Sequence, residues 1–129
     1  MKVKLSDIVP NAVFYSVYGR FVSSKTIGSN ISRYKIIERD PENPQFFSMF
    51  ETYKGETRQS YFSHRDRGIF EDDQQPYNLN RLFKTEEDAI KFQKEIVAGV
   101  FSDPADQKLF DSDWMTNYVA YLPSWDYEE

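Results

Sequence analysis

Apolar and polar residues alternate through most of residues 12–64, the period of two that marks strands with one face turned to a core. Residues 12–25, 31–39, 46–54 and 57–64 are predicted as strands, each rich in β-branched and aromatic residues and bounded by turn formers. In the first, Val13, Tyr15, Val17 and Phe21 fall on one face, and Phe14, Ser16, Tyr18, Arg20 and Val22 on the other. Gly28 and Asn30 mark a turn, since both residue types tolerate positive φ. The run Asp40–Pro44 breaks the second strand, because its two prolines supply no ladder donors. Lys54-Gly55-Glu56 reverses the chain into the fourth strand. Short reversals of this kind imply an antiparallel meander.

Beyond His64 the period changes. Residues 64–68 and 71–76 form a polar stretch without periodicity, predicted as a long loop, and Leu79–Phe83 as a short strand. Thr85 followed by Asp88 has the spacing of a helix cap, with Glu86 and Glu87 in the first turn. The helix is expected through Ala98, stopping at Gly99, with Ala89, Phe92, Ile96 and Val100 along one stripe. Asp103 as N-cap and Pro104 in the first turn announce a second helix. Its apolar spacing continues through Phe110, Trp114 and Tyr118 to Pro123, with Asp111-Ser-Asp113 as a place where it could divide in two. The expected fold is therefore a single α+β domain over residues 1–129. It comprises a sheet at about 12–83, twisted or partly barrel-like, of four or five strands. Two or three helices follow at about 85–122, then an acidic aromatic tail at 123–129.

Composition removes whole classes of chemistry. There is no Cys, which excludes disulfides, thiolate metal sites and Cys nucleophiles, and a single His excludes a multi-His metal site within one chain. Aromatic residues make up 17% of 129 residues, enough ring surface to build a core and too much for a disordered chain. No apolar run is long enough to span a bilayer. The first eight residues lack the apolar core of an export signal, so a cytoplasmic location is expected.

The formal net charge of −5 is unevenly distributed. Up to Ile69 there are 11 Lys and Arg against seven acids, a net +4, and beyond it five against 14, a net −9. Aromatic residues divide equally, 11 on each side, so both parts have the means to fold. Either a basic sheet lies beside acidic helices, or the molecule has two faces of opposite sign, one of which meets a partner.

No catalytic constellation emerges. His64-Arg65-Asp66 reproduces the tripeptide of a kinase catalytic loop, yet no Asn stands at the required spacing and no Gly-rich loop exists. His64 is the one side chain with a reference pKa near neutrality, and a small enzyme centred on it is one reading, though no orienting partner is evident. Asp111-x-Asp113 superficially suggests a cation site, but on a helix side chains two apart diverge, and Trp114-Met115 follow where oxygen ligands belong. No phosphate-binding fingerprint and no cofactor are indicated. Basic residues interleaved with rings are more informative: Tyr18, Arg20, Arg33, Tyr34 and Arg58 combine cations with stacking platforms, as single-stranded nucleic-acid binders do.

The function expected first is nonetheless a non-catalytic interaction module, an inhibitor or accessory factor that meets another protein. Its contact residues are placed in the Ser63–Gln75 loop, at His64, Arg65 and Arg67, and in the tail at Trp125 and Tyr127, because Trp, Tyr and Arg dominate binding hot spots.

Overall fold

A computed structural model describes residues 2–72 and 74–112. Among them an antiparallel sheet of five strands is followed by two helices, and the sheet is open rather than closed into a barrel. The strands are β1 (Val13–Val17), β2 (Ile31–Arg39), β3 (Phe46–Tyr53), β4 (Glu56–Ser63) and β5 (Arg81–Phe83), in the order β4-β3-β2-β1-β5. The α+β layout follows the hydrophobic pattern, with two differences. The first strand stops at Val17, and the chain enters a 3-10 turn at Gly19–Phe21 instead of continuing to residue 25. Gly19 explains the stop: a Cβ there would lie 2.7 Å from Cβ of Leu79 and 2.8 Å from its carbonyl oxygen. Only a residue without a side chain lets the two segments come this close. Second, β2 carries an irregularity between Ile36 and Glu38, where the register against β3 shifts. That bulge explains why Arg39 stands opposite Phe47, on the face that Ile36 already occupies.

The hairpin from β3 to β4 turns through Lys54 and Gly55, both at positive φ, and pairs Tyr53 with Glu56. Two such residues are what the favoured two-residue hairpin demands. Helix α1 (Glu86–Ala98) begins as the sequence indicates, with the Thr85 hydroxyl accepting from the Asp88 amide at 3.1 Å, and ends at Gly99. Helix α2 (Pro104–Phe110) is capped by Asp103. The continuation expected to Pro123 lies outside the described residues.

Each face of the sheet has its own core. On one, Phe14, Tyr34, Ile36, Phe47, Met49, Phe62 and Leu82 are buried beneath Val3, Ile8 and Ile69, which come from the N-terminal segment and the loop after β4. On the other, Val17 meets Ala89, Phe92 and Ile96 of α1, with Val22, Leu79 and Phe101 completing the cluster. Alternation along β1 supplies both cores, as period two requires of a strand covered on both sides. Helix α1 lies over β1 and β5, so the same face of β2, β3 and β4 is left without an element above it among the described residues.

Candidate interaction surface

The bare part of the sheet is assembled by register. Val13, Lys35, Phe50 and Gln59 stand in one row across the strands, and Tyr15, Arg33, Thr52 and Thr57 in the next. Ser48 pairs with Tyr61 and Phe46 with Ser63 on the same face. Away from α1, Arg33, Lys35, Gln59 and Thr57 are exposed, Phe50 is 44% exposed and Tyr61 is 70% exposed. Phe46 meets the Tyr61 ring edge-on, with centroids 5.8 Å apart. The surface thus offers rings and two cations on a rigid support, with Glu38 at its margin beside Ser48.

The residues expected to bind nucleic acid do not share this surface. Arg33 belongs to it, whereas Tyr34, its neighbour in sequence, points through the sheet into the first core and is fully buried. A ring in that position has no face left for a base. Arg58 stands in the row of Phe14, Tyr34 and Glu51, on the side opposite Arg33. Tyr18 lies beyond the end of β1 with its hydroxyl 3.1 Å from that of Tyr34, and Arg20 is exposed in the 3-10 turn, 5.9 Å from the Phe21 centroid. Strict alternation already separates Arg33 from Tyr34. Phe50, opposite Lys35 in the register, is a ring on this surface that the expected set does not contain.

The loop after β4 is built inward. His64 is buried, its Nδ1–H donating to the Ile69 carbonyl at 2.7 Å and its ring edge-on to Phe47. This bond fixes the tautomer and leaves the ring as a brace for the turn. Arg67 is also buried. Its guanidinium donates to the Tyr34 hydroxyl at 3.0 Å, to the Tyr18 hydroxyl, and to the Asp66 carboxylate at 2.7 Å. It also lies 4.6 Å from the Tyr18 ring centroid. Burial works against the Arg67 charge, but the two phenol oxygens and Asp66 outweigh it and raise the pKa further above the ordinary arginine value. The Tyr18 phenol is likewise pushed upward, chiefly by burial, so it stays a neutral hydroxyl. Arg65, by contrast, reaches Gln74 at 2.9 Å on the outside of the loop. Trp125 and Tyr127 lie outside the described residues.

Behind this loop a second ionic cluster ties the chain together. Arg81 donates to Asp106 at 2.6 Å and to the carbonyl oxygens of Asn78 and Asn80, with both charges buried. A Cβ on Gly68 would lie 2.7 Å from the Arg81 guanidinium carbon, so the loop rests directly on this pair. Among the described residues no three His, Cys, Asp or Glu side chains converge to hold a metal ion, and no helix is long and apolar enough to cross a membrane.

Residues 2–96, the entire sheet and most of α1, match the family model described as Phage g100-like protein, and the chain belongs to that family. No curated protein and no solved structure matches it.

Proposed function

We propose that this member of the phage g100-like family is a non-catalytic module that binds another protein through the bare face of β2, β3 and β4. The observation that carries the reading is the exposure of Phe50 and Tyr61 beside Arg33 and Lys35 on a face whose other half is sealed by α1. Tyr, Phe and Arg are the residues that interfaces concentrate, and rings held by a sheet lose little entropy on contact. The inward bonding of His64 favours a bracing role over a catalytic one.

The test is affinity capture from an extract of the source cells, comparing the natural chain with a Phe50→Ser, Tyr61→Ser double variant of unchanged melting temperature. A protein retained by the natural chain and lost from the variant is the expected result. Equal retention by both overturns the choice of face.

A second reading has one observation in its favour: two cations flanked by rings on an open sheet also suit a single nucleic-acid strand. Two cations are few against a molecule of net charge −5. That reading requires oligonucleotide affinity at low salt that falls steeply as salt is added.

A further inference from the structure

The sheet ends at β4, and the outer edge of that strand has no neighbour among the described residues. Which of its backbone groups face outward follows from the hairpin. Tyr53 and Glu56 close a two-residue turn and so exchange hydrogen bonds, and alternation then turns Arg58, Ser60 and Phe62 toward β3. The His64 amide, which donates to the Gln45 carbonyl at 2.9 Å, continues that series. Thr57, Gln59, Tyr61 and Ser63 therefore direct their N–H and C=O groups away from the sheet.

A long edge is commonly guarded by a proline, a bulge or charges along its length. β4 reads Glu-Thr-Arg-Gln-Ser-Tyr-Phe-Ser, without proline, and its register with β3 is unbroken from Glu56 to Ser63. Its two charges, Glu56 and Arg58, are opposite in sign and stand at one end. The four outward residues are symmetric about Ser60. An antiparallel second copy of β4, with a two-fold axis at Ser60, sets Thr57 opposite Ser63 and Gln59 opposite Tyr61 in both directions. Each of these pairs exchanges two backbone bonds, so the edge is satisfied throughout. A register slipped by two residues leaves outward groups unpaired at both ends. Side chains agree with the symmetric register. Threonine meets serine and the glutamine amide meets a tyrosine ring, favourable cross-strand neighbours. Arg58 stands opposite Phe62, which keeps the two Arg58 about 14 Å apart along the strand. Helix α1 covers β1 and β5, at the far side of the sheet, and does not obstruct the approach.

We propose that two copies of this chain join along β4, antiparallel about Ser60, so that their sheets become one. The axis is perpendicular to the sheet, so the bare faces of both copies lie on the same side and form a single surface. Tyr61 of each copy then stands beside Gln59 of the other. The pairing does not depend on the protein-binding reading of that face; it doubles the surface which that reading uses.

Sedimentation of the full chain is expected to show a reversible monomer–dimer equilibrium with a dissociation constant of about 10–100 μM, as suits an interface at the small end of the specific range. Gln59→Pro removes an N–H that points away from β3, so the fold is kept while the dimer weakens at least about tenfold. Thr57→Pro acts by the same logic and serves if circular dichroism shows Gln59→Pro to be unfolded. The register is read by cross-linking, because the chain contains no Cys. In Ser60→Cys the two new residues face one another at a non-hydrogen-bonded site, with Cα atoms about 4.5 Å apart, within reach of a disulfide. Mild oxidation is expected to join Ser60→Cys chains, and Arg58→Cys chains at least about tenfold less. A natural chain that is still monomeric at about 500 μM overturns the proposal. So does a dimer indifferent to the folded proline variant, or cross-linking at position 58 equal to that at position 60.

Discussion

Arg67 shows how a single residue can look like surface and serve as core. In sequence it stands in a polar loop between Asp66 and Gly68, which is where an exposed cation is expected. In the fold its guanidinium is the hub to which Tyr18, Tyr34 and Asp66 all bond, and it also lies 5.7 Å from the Phe62 centroid. The planar fork reaches two phenols and a carboxylate at once, which a lysine ammonium on its flexible stem cannot reproduce. Replacing Arg67 with Met keeps much of the volume but takes the charged donor from both phenols, leaving them only their 3.1 Å contact with each other, and frees the Asp66 carboxylate of its partner. The expected cost is about 3 kcal/mol, with Arg67→Lys nearly as damaging, read from urea unfolding midpoints. A loss below about 0.5 kcal/mol, the size usual for surface substitutions, would show that the hub contributes nothing. No local pattern announces this role, because the hydroxyls that define it come from residues 33 and 49 positions away.

At the scale of elements, legibility follows the range of the interactions. The strands β2, β3 and β4 and the helix from Thr85 to Gly99 were readable because alternation, the cap and the stop are encoded within a few neighbouring residues. The end of β1 was not, because it is imposed by Leu79, far along the chain. The same division separates the surface residues: that Arg33 and Tyr34 oppose one another follows from period two, but which face α1 covers does not.

Helix α2 is too short to stand by itself, at seven residues, and depends on its anchors. Asp103 is one of them, accepting from the Ala105 amide at 2.9 Å and pairing with Lys2 Nζ at 2.7 Å. Burial alone would raise its pKa, but the bonds from Lys2 and Ala105 prevail and hold it below the usual carboxylate range. A carboxyl depressed in the folded state contributes stability above its unfolded value, and the contribution is lost as pH falls through the folded value. Asp103→Asn keeps an acceptor for the cap and removes the charge. The natural chain is therefore expected to be the more stable of the two at neutral pH, by no more than about 1 kcal/mol for so exposed a pair. That advantage should disappear in acid, below a pH of about 4. Melting curves of both chains at several pH values check this, and a difference that does not vary with pH contradicts it.

Across the whole molecule, the division into basic and acidic parts at Ile69 is partly cancelled by the fold. Lys2 pairs with Asp103, Arg39 with Glu71, and Asp7 with Lys84, each bridging the two parts. The cores are joined more firmly. β1 lies between β2 and β5, giving Phe14 to the core under the N-terminal segment and Val17 to the core under α1. Neither core can open without exposing one side of β1 or breaking its pairing, so the two faces should melt as one unit despite their different coverings. Phe47→Ala, in the first core, and Phe92→Ala, in the second, are each expected to cost about 3–5 kcal/mol. More tellingly, each should shift a single transition on which near-ultraviolet and far-ultraviolet circular dichroism coincide. If Phe92→Ala instead gives two transitions, with α1 and β5 lost first while the first core persists, β1 does not couple the faces. The sheet β2–β4 would then be a unit that stands without the acidic helices, and the bare face proposed for partner binding would survive their loss.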